Sequence, residues 1–338
     1  RAVWIMDDMR VIQNSGCSAP TNAVVLGPRQ TIQMNGYNPA EGDYNDFQGA
    51  QPGGGPFNGG VGTARIYYWL PVEAKTRPEL DVLDARGHRV RHIAGQHDVF
   101  NGTNDASSWY LSKSDGKNEF YYDLSVDGPP QYHTAPFFFR GPDSGPQLPP
   151  GHYTIAFHLD GKTYKFPLTS IADPHTTTTQ AEFEARFNQR RREFDLLGRV
   201  DTMLNELARV KDELAAQKKA AKSGDAIVAK IDEQSKAIDT LVNSLTSSPQ
   251  SFEDNINKAG EYREDVMALM QDEPLAFASL NLYTRLEADY SGRAAAYNKW
   301  ASQVSAFNAT LKSSALKPVG APTLAPTKPG TLAPIATH

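Results

Sequence analysis

Two adjacent carboxylates, Asp7 and Asp8, close the apolar run RAVWIM and are the first residues in the chain able to do acid–base chemistry. Glycosidic cleavage by a carboxyl pair needs the two groups on opposite sides of a substrate, roughly 5–10 Å apart. Neighbouring residues that face apart do not meet that need alone. The pair is either an acidic contribution to a site completed by other groups, or a polar turn that ends a strand. His88 and His92 are four apart but flank a turn, and His92, His97 and Asp98 converge only if a loop folds them together. Neither spacing is an established zinc pattern. Ser107 and Ser108 lie near His97 without a nucleophile elbow around them. The sequence therefore assigns no catalytic residue, no metal ligand and no cofactor.

Binding is the other chemistry to weigh. Trp109 and Tyr110, in GQHDVFNGTNDASSWY, could form an aromatic platform for carbohydrate or peptide, or could close a core from a loop. QPGGGPFNGGVG lacks the lysine of a phosphate-binding loop. The basic run at Arg190–Arg192 is followed by Glu193, and 34 basic against 39 acidic residues give a net charge of -5. With no broad basic field, a nucleic-acid partner is not expected. Asn101-Gly102-Thr103 and Asn308-Ala309-Thr310 match glycosylation acceptors, a short pattern that recurs by chance. Cys17 is the one cysteine, so no disulfide can form within the chain.

The elements that must position these groups change character along the 338 residues. Ala2–Met6 reads as one strand needing a partner sheet, within a segment spanning 1–14. Residues 15–62 are rich in glycine, proline and asparagine and read as an extended linker or packing arm. From 63 to 172 short β-branched and aromatic stretches alternate with turns. Tyr153, Ile155, Phe157 and Leu159 share a strand face, and Asp160–Gly161 predicts a tight hairpin. Several such strands predict a small immunoglobulin-like β-sandwich.

From 173 to 313 the period becomes helical, with a threonine cap before Phe183 and apolar stripes through Leu197, Leu204, Ile231 and Leu241. Tyr283, Tyr290, Tyr297, Val304 and Leu311 recur every seven residues, with Trp300 and Phe307 beside them. That seam predicts a long helix in an antiparallel bundle, packing its aromatics on a shared core or docking them to another subunit. Residues 314–338 form a proline-rich extended tail: a linker, a surface strap or a free end.

RAVWIMDD, IYYWLP, ELDVLDARGHRVRHI, PPGHYTIAFHLDGKTYKFPLTSIADP and the long helices together resemble the C-terminal region of bacterial exported sortilin-like (VPS10-like) BNR-repeat β-propeller proteins, often labelled glycosyl hydrolases. The resemblance implies that Ala2–Met6 is the closing strand of a missing N-terminal β-propeller, with Asp7–Asp8 in its exit turn. It implies a noncatalytic structural or interaction region of an exported protein, periplasmic or extracellular. A part of an extracellular hydrolase, with its chemistry mainly in the missing propeller, is the alternative, as is a carbohydrate- or peptide-binding module. Implied partners are the propeller, a second copy or a cell-surface protein. The start at Arg1, with no leader before it, reads as a processed or partial chain.

Overall fold

A computed structural model describes residues 9, 10, 13, 20–33, 63–93, 111–135, 144–222, 224–246 and 261–337. The chain divides into two units. One comprises Arg1–Asp127, Ser144–Phe187 and Ala333–His338, the other Gly128–Asp143 and Asn188–Leu332.

Among the described residues the first unit holds ten strands: β1 (Val24–Leu26), β2 (Thr31–Gln33), β3 (Ala64–Leu70), β4 (Glu79–Leu83), β5 (Arg89–Ile93), β6 (Gly116–Tyr122), β7 (Ser125–Asp127), β8 (Ser144–Gln147), β9 (Gly151–Leu159) and β10 (Lys162–Ala172). They form three open sheets, ordered β1-β3-β6, β2-β10-β9-β4-β5 and β7-β8. The longest pairing is the β9–β10 hairpin, in which Leu159 faces Lys162 across a two-residue turn. Asp160 and Gly161 both take positive φ there, 45° and 79°, as a type I′ turn requires. Tyr153, Ile155, Phe157 and Leu159 are all buried, joined by Leu80, Val82, Ile66, Tyr68, Phe120 and Leu168 in one apolar core. Alternation set these faces, because successive strand side chains point to opposite sides.

The second unit is built on helices. Helix α1 (Gln180–Ala220) begins in the first unit and continues through the second; α2 (Ala226–Leu245), α3 (Tyr262–Leu269) and α4 (Phe277–Ser313) follow. Thr179 starts α1 with a capping box. Its hydroxyl accepts the Glu182 N–H at 3.3 Å, while the Glu182 carboxylate accepts the Thr179 N–H at 2.7 Å. Lys211–Asp239 and Lys218–Asp232 pairs, both at 2.5 Å, set α2 antiparallel to α1. Arg199 joins α1 to α4 by a two-pronged pair with Glu287 at 2.8 and 2.6 Å, and its guanidinium lies 4.4 Å from the centre of the Tyr290 ring. On α4, Tyr290, Tyr297, Trp300, Val304, Phe307 and Leu311 are buried, with Tyr297 and Trp300 ring centres 5.6 Å apart. Tyr283 is half-buried and donates to Glu287 at 3.3 Å.

Several expectations are corrected by these pairings. The described sheets are open, and no propeller or barrel closes among them. The sortilin-like, VPS10-like, BNR-repeat propeller resemblance therefore fails as a fold assignment. The immunoglobulin-like sandwich is corrected as well: β2 enters the five-stranded sheet parallel to β10, and β7–β8 stand as a separate ladder. Periodicity specifies which face of a strand is apolar, not which strand becomes its neighbour. Both β1 and β2 come from 15–62, where turn-rich composition concealed two three-residue strands. Among the described residues the helical part holds four packed helices, the short α3 standing between the long α2 and α4. Ala2–Met6, the expected closing strand, lies outside the described residues.

A buried ion pair locks α3 to α1. Arg263 donates to both Asp201 oxygens, at 2.5 and 3.0 Å, and both side chains are fully buried. Removing one partner strands the other charge away from water. Arg263→Ala is expected to lower stability by about 3–5 kcal/mol. In Asp201→Leu/Arg263→Met much of the loss should return, since no unpaired charge remains; chemical denaturation of the three proteins measures both effects.

Candidate functional site

The chemistry-bearing residues of the first unit meet on strands rather than in a loop. His92 on β5 donates through Nδ1 to Asp81 Oδ1 at 2.7 Å, and His158 on β9 donates through Nε2 to Asp81 Oδ2 at 3.1 Å. The other ring nitrogen of His158 lies 3.0 Å from the Thr163 hydroxyl on β10. Arg89 adds a weaker contact to Asp81 at 3.7 Å. An aspartate-oriented imidazole beside a hydroxyl has the components of a nucleophilic relay. Here, however, they are cross-strand neighbours: His158 pairs with Thr163, and Asp81 with His92. Such side-chain ladders tie strands together. His88 instead approaches Asp84 at 3.7 Å and does not join His92.

Among the described residues, no group of three or more His, Cys, Asp or Glu side chains is arranged to hold a metal ion. Asp7, Asp8, Cys17, His97, Asp98, Trp109 and Tyr110 lie outside the described residues. With no closed propeller among the described residues, the two roles built on it are corrected too: an accessory region of an exported propeller protein and a fragment of a propeller hydrolase. Among the described residues no helix is long and apolar enough to cross a membrane.

The most developed site is in the helical unit, where α1 and α4 clasp the tail. After α4 the chain reverses through Ser314 and Ala315. The Leu316 N–H returns to the Leu311 carbonyl at 2.9 Å and the Ala315 N–H to Lys312 at 3.0 Å, the paired bonds of a Schellman turn. Ala315 occupies the left-handed position, φ 58°, that such turns usually give to glycine. Beyond it every third side chain turns inward. Leu316, Val319, Pro322 and Ala325 are buried or half-buried, whereas 317, 318, 320, 321, 323 and 324 are exposed. Three residues per turn is the polyproline II repeat.

That conformation makes no internal hydrogen bonds, so the helices supply them. On α4, Asn308 donates to the Val319 carbonyl and accepts the Val319 N–H, both at 2.8 Å. Ten residues back, Asn298 does the same for Ala325, again at 2.8 Å twice. The Tyr297 hydroxyl donates to Thr323 O at 2.8 Å, and further along Ser291 reaches Thr327 O at 3.3 Å. Burial raises the Tyr297 phenol pKa and keeps that donor protonated. On α1, Glu213 accepts the Gly320 N–H at 2.6 Å and Glu206 the Thr323 N–H at 3.2 Å, while Arg209 donates to Ala321 O at 3.4 Å. Arg209 is itself held between Glu206 and Glu213 at 2.7 Å each, which raises its pKa. Acceptor, donor and acceptor thus alternate along α1 as N–H and C=O alternate along the segment. Pro318, Pro322 and Pro326 have no N–H to satisfy.

Sequence reading saw in Asn308 only a chance match to a glycosylation pattern and gave Asn298 no role. In the structure both amides are occupied by backbone. The available signal was the spacing of two asparagines beside the aromatic seam, facing a tail too rich in proline to bond with itself. Neither a protein-family model nor a curated protein matches this chain.

Two expectations follow for the same unit. Ala315→Gly removes a side chain from a left-handed position and should stabilise the protein by about 1 kcal/mol, read by thermal or chemical melting. Glu193, fully buried on α1, is raised from its ordinary 4.5 to about 7, because burial outweighs the opposing help of Arg190 at 2.8 Å and Gln189 at 3.2 Å. A raised carboxyl pKa means that the folded state holds the proton more tightly. Its contribution is complete below the ordinary value and is lost as pH rises through about 7. Melting temperature should therefore fall between pH 5 and 8, and Glu193→Gln should flatten that fall; an unchanged slope would refute the assignment.

Proposed function

We propose that the helical unit is a noncatalytic clamp for extended, proline-containing backbone, occupied here by residues 316–327 of its own chain. The observation that carries this reading is the pair of asparagines, Asn298 and Asn308, each bonding both backbone groups of a single residue. Two-point amide recognition of this kind reads an extended main chain independently of most side chains. Selectivity comes from the period of three: small or branched apolar residues face the helices, and prolines sit where no N–H needs a partner. Arg199 and Glu287 tie the two walls of the groove together. Peptide-like partners of the same pattern, including a second copy's tail, fit this chemistry.

Hydrogen exchange in the full chain tests the clamp. Asn298→Ala/Asn308→Ala removes four bonds, each contributing about 1 kcal/mol. Exchange at Val319, Gly320, Thr323 and Ala325 should accelerate at least tenfold, with helical circular dichroism unchanged. Undisturbed protection at those four amides would overturn the reading.

A further inference from the structure

We propose that the groove exchanges tails between two copies of this chain, so that residues 316–327 of one copy occupy the α1–α4 groove of the other. The inference rests on the clamp reading and extends it to a partner. It is carried by the turn at Ala315 together with what lies on either side of it.

Beyond Leu316 the bonds holding the segment run to side chains of α1 and α4 that lie 11 to 117 residues from the groups they hold. None of them depends on the route by which the segment arrives, so a second copy can supply an identical segment and recover them all. Only the Schellman turn is specific to the intrachain arrangement. That turn places a non-glycine residue at φ 58°, where Cβ crowds the following carbonyl. Ser314-Ala315-Leu316-Lys317 follows α4 directly, and alanine, leucine and lysine are strong helix formers. If the turn opens, α4 continues through this stretch until Pro318, whose ring disfavours helix at the residue before it. The straightened helix carries the tail away from its own groove and presents it to another. A strained reversal joined to an element held, beyond Leu316, by side chains of two long helices is the arrangement from which segment exchange arises. The short connection gives the intrachain tail an effective concentration on the order of millimolar. The closed monomer should therefore dominate in dilute solution, with exchange growing as concentration rises.

The experiment varies the hinge and the clamp separately in the full chain. Ala315→Val strongly disfavours positive φ, because a β-branched side chain is crowded there, yet leaves α4 free to continue as helix; Ala315→Gly relaxes the turn. Light scattering after size exclusion should show dimer in A315V at concentrations where wild type is monomeric. A315G should require at least tenfold more protein than wild type to reach the same dimer fraction. Adding Asn298→Ala/Asn308→Ala to A315V should return it to monomer with an unprotected tail. A monomeric A315V with fast exchange at Val319–Ala325 would overturn tail exchange while leaving the clamp intact. A monomeric A315V with those amides still protected would overturn the hinge argument. A dimer that survives loss of both asparagines would place the interface elsewhere and also overturn the proposal. Failure of the clamp itself is read independently, from wild-type hinge protein in which N298A/N308A leaves tail protection unchanged.

Discussion

An extended backbone cannot satisfy its own peptide groups, and burying such a segment requires donors and acceptors from elsewhere. The architecture of the helical unit follows from that constraint. Residues 316–327 are too rich in proline for helix or for the interior of a sheet, so their N–H and C=O groups need side chains of both kinds. Asparagine carries a donor and an acceptor on one planar amide, and two of them on α4 match single residues of the tail. Glu206, Arg209 and Glu213 perform the same service from α1, the one guanidinium shared between the two carboxylates. The same solution recurs within this unit at a third place. Asn205 donates to the Gln131 carbonyl at 2.7 Å and accepts the His133 N–H at 3.0 Å, fixing another irregular segment.

Charge is used differently inside the bundle and on its surface. The Asp201–Arg263 pair is fully buried, and its Coulomb attraction is set against a large desolvation cost. Its Nη1 also contacts Met267 at 3.1 Å, and the Tyr132 ring lies 5.6 Å from the guanidinium. Lys211–Asp239 and Lys218–Asp232 are half-exposed and contribute little beyond orientation. Gly198 adds a steric requirement: a Cβ there would come within 2.9 Å of Pro130, so the chain at 129–130 packs against bare helix backbone.

The strand unit shows why a plausible chemical constellation need not be a site. Asp81, His92, His158 and Thr163 carry groups familiar from catalysis, yet sheet register alone accounts for their meeting. Thr337 meets the start of β9: its carbonyl accepts the His152 N–H at 2.9 Å, and a Cβ at Gly151 would come within 2.7 Å of that oxygen. Here too an extended terminal stretch finds its partners on backbone it could not have provided itself.

Local physics was readable in the residues. Alternation placed Tyr153, Ile155, Phe157 and Leu159 on one face, Asp160–Gly161 dictated a turn with positive φ, and threonines before Phe183 held the cap, although only the folded chain singled out Thr179. The seven-residue recurrence through Tyr290, Tyr297, Val304 and Leu311 marked a stripe that water would not tolerate. What the sequence could not decide was pairing between distant segments. Strand propensity is silent on neighbours, so β1 and β2 were hidden in a turn-rich stretch and the order of motifs suggested a sandwich beside a propeller. An asparagine on a helix face reads as a solvated polar residue until a second segment is brought against it. The clamp exists only where two long helices and a proline-rich tail come together, because each supplies hydrogen-bonding groups that the other lacks.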